Sequence, residues 1–184
     1  MAQKTCIEVA VNGASTRRVQ PRIPVSAKEI IDEGVACIKA GAAVIHAHTL
    51  EPDSGKQNGN VDNCVAFMNG IREQVDAIVY PTVVGSPNPS NPAWLWEPTV
   101  ELAKRGILEW GFLDPGSVNF CFIGNGVYIN TNPVLEMAAE LAAEHNSIRR
   151  TPAMSRASCA RERCYIGIIR RCRCPFTGSC SPPE

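Results

Sequence analysis

The chain has 184 residues, nine cysteines and a formal net charge of zero, with 45% hydrophobic residues. That length suits one ordinary domain or part of a larger one. No run of about 18 apolar residues offers a membrane span, and the N-terminus lacks a secretory layout, so a reduced, cytoplasmic globular protein without a membrane partner is expected.

The neutral balance hides a split. Residues 1–145 hold 10 Lys/Arg against 16 Asp/Glu, whereas residues 146–184 hold 8 Arg against 2 Glu and five of the nine cysteines. The first part reads as a folded body and the second as something different.

In chain order, Cys6 to Val11 reads as a first strand, ending in Asn12-Gly13-Ala14-Ser15. After a Pro-punctuated loop, Ser26-Ala27-Lys28-Glu29 has the spacing of a capping box. The helix it opens buries Ile30, Ile31, Val35, Ile38 and Ala42, and the Gly41 region stops it. Ala43 to Leu50 is a short buried strand carrying His46 and His48. A helix follows from about Val61 to Gln74, then a strand from Ala77 to Val84 with Pro81 inside it. The Gly85-Ser86-Pro87-Asn88-Pro89 loop leads to a helix around Pro98–Lys104 and a strand over Leu108–Leu113, closed by Asp114-Pro115-Gly116-Ser117. Asn132-Pro133 pairs an N-cap with a first-turn proline and opens a last helix through Leu135, Ala138, Leu141 and Ala142.

Strands alternating with helices predict βαβ units and a parallel sheet. Two architectures fit, a doubly wound open sheet or half of a (β/α)8 barrel. No Gly-x-Gly-x-x-Gly follows the first strand, so dinucleotide binding has no support. Gly124-Asn125-Gly126 reads as a tight turn rather than a phosphate loop.

The chemistry concentrates in His46 and His48. Strand side chains alternate faces, so both imidazoles leave on one side, with Cα atoms about 7 Å apart. They sit at the C-terminal end of their strand, where α/β folds keep active sites. Spacing alone leaves two readings open: a metal-ligand pair in need of further donors, or two half-buried polar residues at a strand end. The only other histidine is His145, and no Cys-x-x-Cys occurs, so further donors within 1–145 would be carboxylates or water. Glu51 and Asp53 are near in sequence, yet loop carboxylates are usually just solvated.

Several segments, in order, resemble the β-keto acid cleavage enzyme family (3-keto-5-aminohexanoate cleavage enzyme-like). They are Val9 to Ala14, Ile23 to Ile30, Ala40 to His48, Leu113 to Phe120 and Val127 to Thr131, together spanning residues 4 to about 145. The resemblance implies a (β/α)8 TIM barrel, a divalent metal, most often Zn2+, and acetyl-CoA as co-substrate. It implies cleavage of a β-keto acid to give acetoacetate and a new CoA thioester, as in amino acid catabolism, by a cytoplasmic homo-oligomer. It places metal ligation on His46 and His48 and a catalytic hydroxyl on Thr82, which could equally be one more β-branched strand residue. Substrate contacts fall on Asn12, Ser15, Ser117 and Asn119, with Ser15 standing where many members carry an acidic residue. The family's glutamate ligand, and the aspartate and arginine beside it, come from a second half of the barrel that has no counterpart in these 184 residues.

From Ser147 onward Leu, Val, Asp and Lys vanish, and Arg, Cys, Ser and Pro take over. The expected division is therefore 1–146 as the N-terminal half of a TIM-barrel domain and 147–184 as a frame-shifted or disordered tail, making the chain a truncated, inactive form of the enzyme. Cysteine spacings of four, seven, one and five intervening residues match no common zinc pattern. Two alternatives stand beside this expectation. One is another His-x-His metal-dependent barrel hydrolase, which would normally carry its pair on the first strand. The other is a half-barrel binding module whose basic tail grips nucleic acid through its arginines.

Overall fold

Strands β1 (Glu8–Ala10), β2 (Val44–Ala47) and β3 (Ile78–Pro81) form one parallel sheet in the order β1-β2-β3. In this computed structural model, residues 6–13, 17–82, 84, 94–112, 116–119, 127–130 and 148–150, with positions 136, 140, 143 and 144, are described. Helices α1 (Ala27–Lys39) and α2 (Val61–Arg72) pack against each other on one face of the sheet. A doubly wound sheet of order 3-2-1-4-5-6 turns back after its third strand and sets the fourth beside the first; here the fourth strand lies beside β3, the order that a barrel arc has.

The pleat explains the partition of side chains. Val9, Ile45 and Val79 share one register row and turn toward the helices, while Ala10, His46 and Tyr80 share the next and turn to the other face. Ile45 and Val79 are fully buried, together with Ile30, Phe67, Met68, Ile71 and Leu102, in the main core. Gly34 lies where α1 crosses α2: a Cβ there would meet Ile71 Cδ1 at 2.7 Å, so the bare backbone sets how closely the helices approach.

The capping box forms as its spacing predicts. Ser26 Oγ accepts from the Glu29 backbone N–H at 3.3 Å, and Glu29 Oε2 accepts from the backbone N–H groups of Ser26 and Val25 at 2.8 and 3.0 Å. Arg17 adds an ion pair at 2.5 Å. The Ser26 and Val25 amides, ahead of the Ser26 hydroxyl and Arg17, hold the Glu29 carboxyl down at about 2.

Pro81 is tolerated because it ends β3 rather than sitting inside it; the next ladder bond comes from Thr82 N–H to Ala47 O, at 2.9 Å. Helix α3 (Glu97–Lys104) begins directly after a 3₁₀ turn at Trp94–Trp96, and β4 (Trp110–Phe112) follows it. Arg72, in the last turn of α2, joins the two strand ends: its guanidinium donates to Ile107 O at 2.6 Å and to Val79 O at 3.1 Å, and pairs with Glu109 at 3.0 Å. The Tyr80 and Trp110 rings lie 6.4 Å apart, so β4 runs beside β3.

The sequence did not announce the hairpin of β5 (Gly116–Asn119) and β6 (Val127–Asn130), which pair antiparallel apart from the main sheet. Its cue is the Gly124–Gly126 stretch between the two strands, which itself lies outside the described residues. Glu136, Glu140, Ala143 and Glu144 are helical and exposed, in the span expected for the last helix. Ile148–Arg150, the start of the expected tail, form β7 and pair parallel with β4; residues 151–184 lie outside the described residues.

Candidate functional site

Both histidines end on the inner face of the sheet, at the C-terminal end of β2. His46 is the third residue of that strand and is buried, while His48 lies just beyond it and is half-buried. The Nε2 atoms converge to 3.1 Å, and the rings meet edge to face with centroids 5.0 Å apart. Two side chains that leave the strand about 7 Å apart therefore bring their tips into contact.

Backbone and side-chain bonds hold this geometry. Asn12, just past β1, accepts from His48 N–H through Oδ1 at 2.7 Å, and its Nδ2 donates to His48 O at 3.0 Å and to Pro24 O at 2.9 Å. Both amide hydrogens of Asn12 are thus spent on backbone, and the extended path of β2 continues past its last ladder residue. Gln57 Oε1 lies 2.9 Å from His48 Nδ1. An amide oxygen only accepts, so Nδ1 carries the hydrogen and the His48 Nε2 lone pair faces His46. Burial pushes the His48 imidazole down and so favours the neutral ring, partly opposed by the Gln57 bond.

Tyr80 flanks the pair from β3. Its ring lies 4.8 Å from that of His46, and its hydroxyl donates to Glu8 Oε1 on β1. The inner face thus carries a polar row from Glu8 through Tyr80 to the histidines. Thr82 lies two residues beyond Tyr80 on the same face, half-buried, and the β2–β3 register brings it beside His48.

Ser117 and Asn119 lie two apart on β5, with register partners Ile129 and Val127. Ser15 lies outside the described residues.

Sequence reasoning missed Gln57 and Tyr80. Gln57 could have been found from the Pro52–Ser54 turn, which folds the chain back so that residue 57 faces residue 50. Tyr80 shares a register row with His46, which becomes visible only when the strands are paired.

The pair fits a metal ion as a bidentate half-site. Tetrahedral zinc with Zn–N of about 2.0–2.1 Å separates two imidazole nitrogens by about 3.3 Å, close to the 3.1 Å found here. The donors are imidazole nitrogens, and the Gln57 amide oxygen backs the far nitrogen of His48, the arrangement that zinc imidazole sites use. Among the described residues no cluster of three or more His, Cys, Asp or Glu is placed to hold an ion, so the pair supplies part of a coordination sphere.

Comparison with known proteins agrees with the α/β fold and its parallel sheet. The beta-keto acid cleavage enzyme family matches residues 4–152. A 3,5-dioxohexanoate:acetyl-CoA acetone transferase of Paraburkholderia graminis is 31% identical over 115 residues, covering 59% of this chain and 37% of the relative. A 3-keto-5-aminohexanoate cleavage enzyme of Fusobacterium nucleatum is 30% identical over 146 residues, covering 78% of this chain and 50% of the relative. The apo structure of ObcA superposes with a TM-score of 0.67 at 19% identity, over 86% of this chain and 39% of ObcA; at that identity the likeness speaks for the fold. This chain spans about half the length of the curated relatives it matches, from 37% to 53% among the first three. With the family matched across most of its length, and three parallel strands presenting a histidine pair at their C-terminal end, the chain belongs to the β-keto acid cleavage enzyme family.

Proposed function

We propose that this chain carries the histidine half of a metal-dependent site that cleaves a β-keto acid against acetyl-CoA. The sheet is read as an arc of a (β/α)8 barrel, and the intact enzyme as a cytoplasmic homo-oligomer. The convergence of His46 and His48 Nε2 to 3.1 Å carries this reading. Acetyl-CoA as co-substrate accords with the names of the acetone and trimethylamine transferases among the relatives, and with the complex of ObcA with a C4-CoA adduct and oxalate.

In such a reaction the substrate's α-carbon bonds to the acetyl carbonyl carbon as the acetyl–sulfur bond of acetyl-CoA breaks; the freed CoA sulfur then bonds to the keto carbon as the bond between that carbon and the α-carbon breaks, so acetoacetate leaves and the remaining acyl group ends on CoA. A divalent metal held by His46 and His48, most often zinc, supplies Lewis-acid polarisation of the substrate oxygens. The chain's own residues hold and orient. Asn12 fixes the backbone that carries His48, Gln57 fixes its ring, and Tyr80 walls the pair. Thr82, on the same face, offers its hydroxyl to a substrate oxygen. Ser117, Asn119 and Ser15 are assigned to the substrate's far end by family position.

Binding of acetoacetate tests this. The chain used carries Ser in place of Cys159, Cys164, Cys172, Cys174 and Cys180, so that tail thiolates cannot sequester zinc. Saturation-transfer NMR is expected to show acetoacetate bound only with zinc present, and lost in His46→Ala. Binding that ignores zinc or survives His46→Ala contradicts the assignment.

A further inference from the structure

We infer that Gln57 is a positioning residue for the histidine pair: it locks His48 in the Nδ1–H form and so keeps the Nε2 lone pair turned toward His46. The inference rests on the reading of His46 and His48 as ligands of one ion, and adds a residue that the sequence did not single out.

The contact itself is direct, Gln57 Oε1 to His48 Nδ1 at 2.9 Å. A neutral imidazole carries its hydrogen on one nitrogen or the other, and in water the two forms interconvert freely. A hydroxyl or a water at Nδ1 could donate or accept and would select neither. With its oxygen rather than its NH2 group turned to Nδ1, as here, the Gln57 amide accepts only and selects one.

The loop around Gln57 is built to hold it there. Leu50 and Gln57 form an antiparallel bridge. On either side of it, Glu51 N–H donates to Lys56 O at 2.8 Å and Asn58 N–H donates to Thr49 O at 3.0 Å. Thr49 Oγ1 donates to Asn58 O, and Asn58 Nδ2 donates to Glu51 Oε1 at 2.5 Å. The backbone is therefore anchored on both sides of residue 57, and its side chain is half-buried against the histidine.

The other end is anchored as firmly, because Asn12 fixes both backbone polar groups of His48. With both backbones held, ring rotation and the choice of protonated nitrogen are the freedoms left to His48. The Gln57 bond removes both. The result is a histidine whose metal-facing lone pair exists before any ion arrives.

The test uses the full chain with the five tail cysteines changed to Ser, uniformly labelled with 15N. Only three histidines are present, which makes their long-range 15N–1H correlations assignable. The metal-free protein is expected to show His48 as Nδ1–H. Gln57→Leu is expected to shift it to Nε2–H or a mixture and to weaken zinc binding in a chelator competition by about 10–100-fold. Gln57→Glu, whose carboxylate also accepts from Nδ1–H, is expected to keep the tautomer and to recover the affinity to within a few-fold, which excludes a mere folding defect. An unchanged tautomer in Gln57→Leu overturns the inference even if zinc binds to the histidines. A tautomer that changes as expected, in a chain whose histidines take up no zinc, contradicts the ligand reading instead and confines Gln57 to fixing the ring.

Discussion

Asn12 and His48, 36 residues apart in sequence, are joined by a pair of hydrogen bonds in which one side-chain amide stands in for a neighbouring strand. Its Oδ1 accepts from His48 N–H at 2.7 Å and its Nδ2 donates to His48 O at 3.0 Å. The ladder between β1 and β2 thereby extends past the last residue of β2, and His48 stays in line with His46. Asn12→Ala leaves a part-buried donor and acceptor without these partners, at a cost of about 2 kcal/mol or more. Urea denaturation is expected to show that loss, together with weaker zinc binding. An unchanged midpoint would mean that the clamp holds nothing.

The capping box predicts a pH dependence. Glu29 is held at about 2 against 4.5 for the free group, chiefly by the Ser26 and Val25 amides. A depressed carboxylate stabilises the fold fully above the unfolded value and loses that contribution as pH falls through the folded one. The loss should therefore run from about pH 4.5 down to about pH 2. Since Glu29 is almost half exposed, solvent screens much of the effect, and Glu29→Gln should cost about 1 kcal/mol or less at neutral pH. Acid titration of the variant is expected to be flatter across that window. Identical curves for the two proteins would rule the contribution out.

Cys64 lies among α2 core residues, and burial pushes its thiol up to about 12, slightly opposed by the Thr49 hydroxyl. Iodoacetamide at about pH 8 needs thiolate. Peptide mapping is expected to find the exposed Cys6 alkylated in the folded chain and Cys64 alkylated only in denaturant. A raised acid pKa also means that the stability linked to Cys64 is whole below the ordinary value of 9.0 and is lost as pH climbs toward 12. Rapid native-state labelling of Cys64 would contradict its placement in the core.

The crossing of α1 and α2 is set by Gly34 against Ile71. Gly34→Val is expected to destabilise by about 2 kcal/mol through overpacking, and Ile71→Ala in the same chain should recover part of that loss. Strictly additive effects in thermal denaturation would show that the two residues do not share this space.

Local signals in the sequence read well where the physics is local. The Ser26–Glu29 spacing predicts a cap because both partners lie within one turn, and His46-x-His48 predicts a shared face because the strand repeat is two. The choice between an open sheet and a barrel arc was not legible, since it depends on whether the fourth strand lies beside the first or the third, a long-range fact. Gln57 was invisible for a related reason: a lone glutamine in a polar loop acquires meaning only when the turn brings it back to His48. The β5–β6 hairpin was hidden behind a proline-glycine loop signal at Asp114-Pro115-Gly116 that reads as the end of a strand, although a new strand begins at Gly116.

Shared binding of one ion by His46 and His48 is open to zinc X-ray absorption on the chain with its five tail cysteines changed to Ser. One zinc per chain with two imidazole nitrogens at about 2.0–2.1 Å, lost in His46→Ala and in His48→Ala, is the predicted result. Zinc retained by the unaltered chain only through sulfur at about 2.3 Å, and absent once the tail cysteines are gone, would contradict it.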